Sequence, residues 1–159
     1  AVVREPALQF IAAMAPLLAE FAPHFRAEPR RVGGSLMRVF RDTRFSRDKS
    51  PYKTNIGIQF RHALGKDVHA PGFYLHVAAD GCFLGAGCWH PEADALGRIR
   101  GYAGALPSLE DLKRKDFIAL APLSFDDVTA PGLLKLAAGR FASAAPLMTF
   151  LCEALGVPY

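Results

Sequence analysis

At 159 residues, with 51% hydrophobic and 21% charged side chains, the chain has the composition of a single globular domain, which excludes a disordered or low-complexity protein. No apolar run approaches the roughly 20 residues that span a bilayer, and the opening AVVREPALQF lacks the basic, apolar and small-residue order of a secretory leader. The net charge of +4 is uneven: eight basic and two acidic residues lie between Arg30 and Lys53, a surplus of six, so the remaining eleven basic and thirteen acidic residues sum to −2.

In chain order, EPALQFIAAMAPLLAEFAPHF carries Phe10, Ile11, Met14, Leu17, Leu18 and Phe21 at helical spacing. This predicts a helix over 5–22, with Pro6 in its first turn and Pro16 kinking it or starting a second segment. A basic connector, RAEPRRVGGS, leads to four strand-like runs over 36–42, 54–61, 72–79 and 82–89. HPEADALGRIRGYA then reads as a helix with Pro91 at its first position. SLEDLKRKDFIAL reads as another, with Ser108 as N-cap and Asp111 in capping-box spacing. The Ala- and Leu-rich tail over 131–155 is helical, with a bend expected at Pro146. Helix, strands in a run, then helices predict an α+β domain spanning 1–159. A four-stranded antiparallel meander over 36–90 would carry helices on one face, and the part from 91 to 159 would be helical.

The hairpin GFYLHVAADGCFLGAGCWH is the sharpest local signal. Asp80-Gly81 between two alternating runs predicts a two-residue type I′ turn. That turn pairs Ala79 with Cys82 and sets His76 opposite Gly85, Tyr74 opposite Gly87 and Phe73 opposite Cys88. One face then holds Phe73, Leu75, Val77, Leu84, Ala86 and Cys88 and lies on the helices; the other holds Tyr74, His76, Phe83, Gly85, Gly87 and Trp89. Glycine inside a strand marks a close approach, either by another element of the protein or by a ligand. In the 54–61 strand, Ile56, Ile58 and Phe60 share the core side, while Asn55, Gly57 and Gln59 share the open one. For the 36–42 strand two readings stand. If Met37 and Val39 face the core, Arg38 and Phe40 join the open face; if Leu36 and Phe40 do, Arg41 takes that place.

Between two of these strands runs RVFRDTRFSRDKSPYKTN, with six basic and two acidic residues in eighteen positions. Arginine forks suit carboxylate or phosphate, lysine is a movable point charge, and Ser46, Ser50, Thr43 and Thr54 add hydroxyls. Over the open face this loop could clamp a small anion through Arg38, Arg41, Arg44, Ser46, Lys49, Tyr52 and Lys53, with Tyr74, His76, Gly85 and Gly87 forming the floor. A competing reading is an internal ion-pair network in which Asp42 and Asp48 hold the arginines while Phe45 and Tyr52 plug into the core. Basic residues interleaved with rings also suit a nucleic-acid or protein-interaction module, but the patch is small and the rest of the chain mildly acidic, so nucleic acid is the lesser expectation.

No nucleophile elbow, P-loop or dinucleotide motif occurs; GAGCWH lies in a strand. If the site catalyses a reaction, His76 is the proton-transfer group, because imidazole titrates near working pH. Cys82, Cys88 and Cys152 are an odd count without paired spacing, which reads as reduced thiols in a cytoplasmic protein. Cys88 and His90 share a face by alternation, and an inert core thiol is the expectation for Cys88. Asp126-Asp127 reads as helix N-terminal charge. No metal, cofactor or membrane partner is expected.

RVFRDTRFSRDKSPYKTNIG followed by GFYLHVAADGCFLGAGCWHPEADALGRIR resembles the domain of unknown function 2461 family, from about Arg4 to the C-terminus. The family's long Arg- and Lys-rich motif falls on Arg38, Arg41, Asp42, Arg44, Phe45, Ser46, Asp48, Lys49, Pro51, Tyr52 and Lys53, and its glycine-tryptophan-proline-like run on Gly85, Gly87, His90 and Pro91. Two departures stand out. A further N-terminal helical stretch with an Asn-Asn and a Trp-Phe pair is not in this sequence. Nor is a stretch with Arg-Gly-Phe and Asp-His-Pro, since Gly104 runs almost directly into Leu106-Pro107-Ser108. The resemblance implies a family and brings no reaction with it.

Overall fold

The computed structural model describes residues 3–41, 44–45, 47, 49–65, 70–102 and 114–159. Helix α1 (Arg4–Phe21) runs unbroken through Pro16. The apolar stripe Ile11, Met14 and Leu18 stays in phase across the proline, so tertiary burial holds the helix together where propensity alone would divide it. Among the described residues the sheet has five strands in the order β1 (Phe25–Arg26), β2 (Asn55–His62), β3 (Gly72–Ala78), β4 (Gly81–Cys88) and β5 (Phe117–Leu123), all antiparallel. The expected α+β meander is present, with two strands added and one removed. Helix α2 (Ala93–Gly101) begins after Glu92 rather than at Pro91. Three C-terminal helices follow: α3 (Phe125–Thr129), α4 (Leu133–Ser143) and α5 (Ala145–Leu155), with the break at Ala144 and Pro146 in the first turn of α5.

The 36–42 segment is not a strand. It pairs in two short patches: Met37 donates to the Gly57 carbonyl and Gln59 to that of Ser35, while Lys53 donates to Val39 and Arg41 to Pro51. Only two isolated bridges result, Leu36 with Ile58 and Phe40 with Tyr52. Pro51 carries no N–H, so the second patch cannot extend into a regular ladder. The stretch over 117–120, expected to continue a helix, belongs instead to the outer strand β5, where Pro122 pairs with Phe83. Proline inside the run disfavours helix, and the turn of chain after it is capped by Ser124, whose hydroxyl accepts from Asp127 N while the Asp127 carboxylate accepts from Ser124 N. That capping holds the Asp127 carboxyl below its ordinary range. The Ser108 and Asp111 capping box lies outside the described residues.

The hairpin turn also differs in detail. Ala78 pairs with Gly81 and Tyr74 with Gly85, so the loop is Ala79-Asp80 and each β3 residue meets a β4 partner two positions earlier than expected. His76 faces Phe83, Phe73 faces Ala86, and Gly72 rather than Tyr74 faces Gly87. Asp80 has negative φ, so a type I′ turn, which needs positive φ at both central residues, does not form there. A shift of two residues preserves the faces, because side chains alternate with period two.

The core lies between one sheet face and the helices. Ile11, Met14 and Leu18 from α1, Phe141 from α4 and Met148 from α5 pack on Ile58, Phe60, Phe73, Leu75, Leu84 and Ala86. A smaller cluster joins Cys88, Ile99, Phe117, Leu151 and Ala154. The buried His62 ties the C-terminal end to the sheet: its Nδ1 accepts from Leu64 N at 3.1 Å and its Nε2 donates to the Pro158 carbonyl at 2.6 Å. All three cysteines are buried. Burial pushes the Cys152 thiol from an ordinary 9.0 up to about 11. The folded state therefore holds this proton more tightly, so the thiol's contribution is intact below pH 9 and declines as pH rises towards 11, by about 1.4 kcal/mol per pH unit. Cys152 is expected to resist iodoacetamide at about pH 8 until the protein unfolds. Rapid labelling of native Cys152, read by mass spectrometry, would contradict this.

Candidate functional site

The helices cover one side of the sheet, and the opposite side carries the residues that alternation assigned to it. Gln59, Tyr74, Gly85 and Leu120 form one cross-strand row, and Gly57, His76, Phe83 and Pro122 the next. The three glycines do different work. At Gly57 a Cβ would lie 2.8 Å from both Met37 Sδ and the Tyr74 hydroxyl, so its bareness admits those two side chains. At Gly87 the φ of +139° and a collision with the Phe117 carbonyl oxygen make glycine a requirement of the β4–β5 pairing. At Gly85 a Cβ would make only ordinary contacts, the nearest 3.4 Å to Leu120 Cδ2, so the fold does not need glycine there. Above Gly85 lies a cavity of about 410 Å³, walled chiefly by Met37, Tyr74, His76, Phe83, Trp89 and Leu120. Its size and apolar walls with a few polar groups are those of a small-molecule site.

His76 stacks on Phe83, with ring centroids 4.7 Å apart and 13° between planes. Asn55 Nδ2 lies 3.4 Å, and the Tyr74 hydroxyl 3.2 Å, from His76 Nδ1. An amide nitrogen can only donate, so Nδ1 accepts and the proton of the neutral ring sits on Nε2. A phenol is protonated at neutral pH, and burial pushes the Tyr74 phenol further above its ordinary 10.0, so its O–H donates to Nδ1. At the rim, Trp89 is 55% exposed and packs edge-on to His90. His90 has left the strand and taken a left-handed φ of 42°. Its N–H donates to Asp116 Oδ1 at 2.7 Å, and its Nδ1 lies 3.3 Å from the same oxygen. Asp116 directly precedes β5, so this clasp ties the end of β4 to the start of β5 and holds His90 in a backbone conformation that few non-glycine residues adopt.

The family of conserved hypothetical proteins DUF2461 matches residues 1–103. The chain belongs to the DUF2461 family. The matched part contains the whole basic segment and the β3–β4 hairpin, and chain from 104 onward, including β5, lies outside it. No curated protein and no solved structure matches the chain.

In this DUF2461 chain Tyr74, His76, Gly85 and Gly87 line the cavity together. Arg38, Arg41, Arg44, Lys49, Tyr52 and Lys53 are not among its lining residues; they lie on the hairpin that extends beyond the start of β2, where Arg41 Nη1 donates to Ser50 Oγ at 3.3 Å. Ser46, Asp42 and Asp48 lie outside the described residues. From this segment it is Met37 that reaches the open face, while Leu36 is buried against the core. Phe45 is 95% exposed and Tyr52 60%, so neither plugs into the core as the internal-network reading required. Sequence reasoning missed Ile118 and Leu120, which line the cavity from β5. Pro122 within that apolar run was the available signal against a helix there. Among the described residues no cluster of three metal-ligating side chains occurs, and no helix is long and apolar enough to cross a membrane.

Proposed function

We propose that this protein binds a small ligand with a ring-like apolar body and a phosphate or carboxylate group on the open face of its sheet. The observation that carries the reading is the cavity of about 410 Å³ floored by Tyr74, His76, Phe83 and Gly85. Phe83 and Trp89 offer ring faces for stacking. The Nε2–H of His76 is a donor that can orient a polar edge, and the Tyr74 phenol oxygen, whose proton goes to His76 Nδ1, can accept from one. The basic segment begins at Arg38, the residue after cavity-lining Met37, and its surplus charge draws anions towards this face.

Trp89 is the single tryptophan of the chain and a built-in reporter. Phenyl phosphate is expected to change its emission saturably, with affinity about tenfold or more above that of phenol. Gly85→Leu fills the floor and is expected to abolish the response while leaving the far-ultraviolet circular dichroism unchanged. An unaltered response in G85L, or none in the parent protein, overturns the reading.

A second reading rests on the exposed rings of the basic hairpin. Phe40 and Tyr52 pack with centroids 5.6 Å apart and, with Phe45, offer stacking surfaces beside arginines and lysines. Binding of a random single-stranded oligonucleotide that falls steeply with salt would favour it, because each phosphate contact releases counterions. Under the first reading no such binding occurs.

A further inference from the structure

Past the aromatic cavity, the same sheet face continues into a polar pocket of about 130 Å³ at the β1–β2 end, lined in part by Arg26, Glu28, Ser35, Gln59, Arg61 and His62. Gln59 lines both spaces, and Gly72, in the cavity wall, is the cross-strand partner of Arg61. The two spaces are therefore contiguous: Arg61 stands two residues beyond Gln59 on the same face, about 7 Å along the strand.

Among the described residues the positive charges in this pocket are not balanced. Arg26 and Arg61 are direct cross-strand partners in β1 and β2, so both project from the same side. Like charges placed opposite one another destabilise a sheet. The carboxylate nearby is shared, since Glu28 Oε1 lies 3.9 Å from Arg26 Nη1 and 3.9 Å from Arg30 Nη2. The half-buried Arg61 makes no side-chain hydrogen bond or ion pair with a described residue. The other polar groups are already engaged: the Ser35 hydroxyl accepts from Glu28 N and donates to the Arg26 carbonyl, and both His62 nitrogens are bonded. Among the described residues, what remains without a partner is the positive charge of Arg61, facing a small polar recess.

We infer that this recess holds the anionic group of the ligand, with the Arg61 guanidinium as its fork and Arg26 as the second charge. The inference rests on the cavity reading above and sharpens it: the ring lies over Tyr74, Phe83 and Gly85, and a phosphate or carboxylate on a short spacer passes Gln59 to reach Arg61. Bidentate guanidinium contact suits either oxyanion. An anion between the two arginines also removes the like-charge repulsion that the β1–β2 pairing carries without it. The basic hairpin then acts as a source of attraction at a distance rather than as the clamp.

The test uses the intact chain, Trp89 emission, phenyl phosphate and phenol as probes, and two variants, Arg61→Gln and Arg38→Gln. R61Q is expected to weaken phenyl phosphate about tenfold or more while leaving phenol unchanged, because one charged hydrogen-bonding partner is lost. Its melting temperature should be no lower than the parent's, since a repulsion is relieved. R38Q is expected to bind phenol as the parent does and to weaken phenyl phosphate by no more than about twofold, because it removes one distant charge and no contact. If R61Q binds phenyl phosphate normally and R38Q does not, the anion is held by the hairpin, and the inference fails while the cavity reading stands. A lower melting temperature in R61Q gives Arg61 a structural role and also overturns it. If neither probe changes Trp89 emission in the parent, the cavity reading falls and the inference with it.

Discussion

Replacing Gly87 with alanine is expected to destabilise the protein by about 3–5 kcal/mol, combining the strain of a conformation open almost only to glycine with the overpacking of an added methyl. Both terms come from one place. The φ of +139° is open to glycine, and the new Cβ would drive into the Phe117 carbonyl and approach Ile118 Cα to 2.9 Å. Relief requires β5 to move away from β4, which breaks the ladder running from Cys88–Phe117 to Cys82–Leu123. It also loosens the small cluster of Cys88, Ile99 and Phe117. Gly85→Ala, two residues earlier on the same face, should cost less than about 1 kcal/mol, because its methyl meets only ordinary contacts. Urea unfolding of the two variants decides the matter. Equal losses at both positions would remove the distinction between a glycine required by the fold and one that opens the cavity.

Phe73→Ala should cost about 3–5 kcal/mol, the usual range for deleting a buried ring. Phe73 is fully buried at the centre of an aromatic layer: Phe25 lies 5.0 Å away, Phe141 5.0 Å and Phe21 6.0 Å, the last edge-on. These rings come from β1, α4 and α1, so a single side chain joins the N-terminal helix, the edge of the sheet and the C-terminal helices. The cavity left behind is ringed by rigid aromatics that cannot collapse into it. In thermal unfolding the loss corresponds to about 10 °C or more. A loss under about 1 kcal/mol in chemical denaturation would mean that the layer repacks.

The two faces of the β3–β4 hairpin were legible because alternation survives an error in the turn. The loop formed at Ala79-Asp80 rather than Asp80-Gly81, every partner moved by two residues, and Tyr74, His76 and Phe83 still stood on the open side. Elements without a period of their own were not legible. Two residues of β1 carry no pattern, so the opposition of Arg26 to Arg61 exists only once the chain has folded. The apolar run over 117–123 is short enough to read as helix or strand, and pairing with β4 decides for strand. The 36–42 segment has strand-like composition but meets Pro51 across the ladder and keeps only fragments of pairing. Of the candidate site, the aromatic floor could be anticipated from alternation, while Met37, Ile118, Leu120 and the arginine pair depended on contacts between segments far apart in the chain.

Strand β5 has a bearing on the protein's life in a crowded solution. Among the described residues it is the outer strand of the sheet at that side, with Leu120 largely exposed, and an outer strand with free backbone donors is a template on which a second chain can add. Pro122 deletes one donor from that row and holds the local backbone in one setting. A chain trying to extend the sheet there finds its ladder interrupted near the end of the strand. The same proline that obscured the strand in the sequence is thus expected to hinder strand addition at this edge. It is the position at which a change to valine or threonine would leave the fold intact and make fibril growth easier.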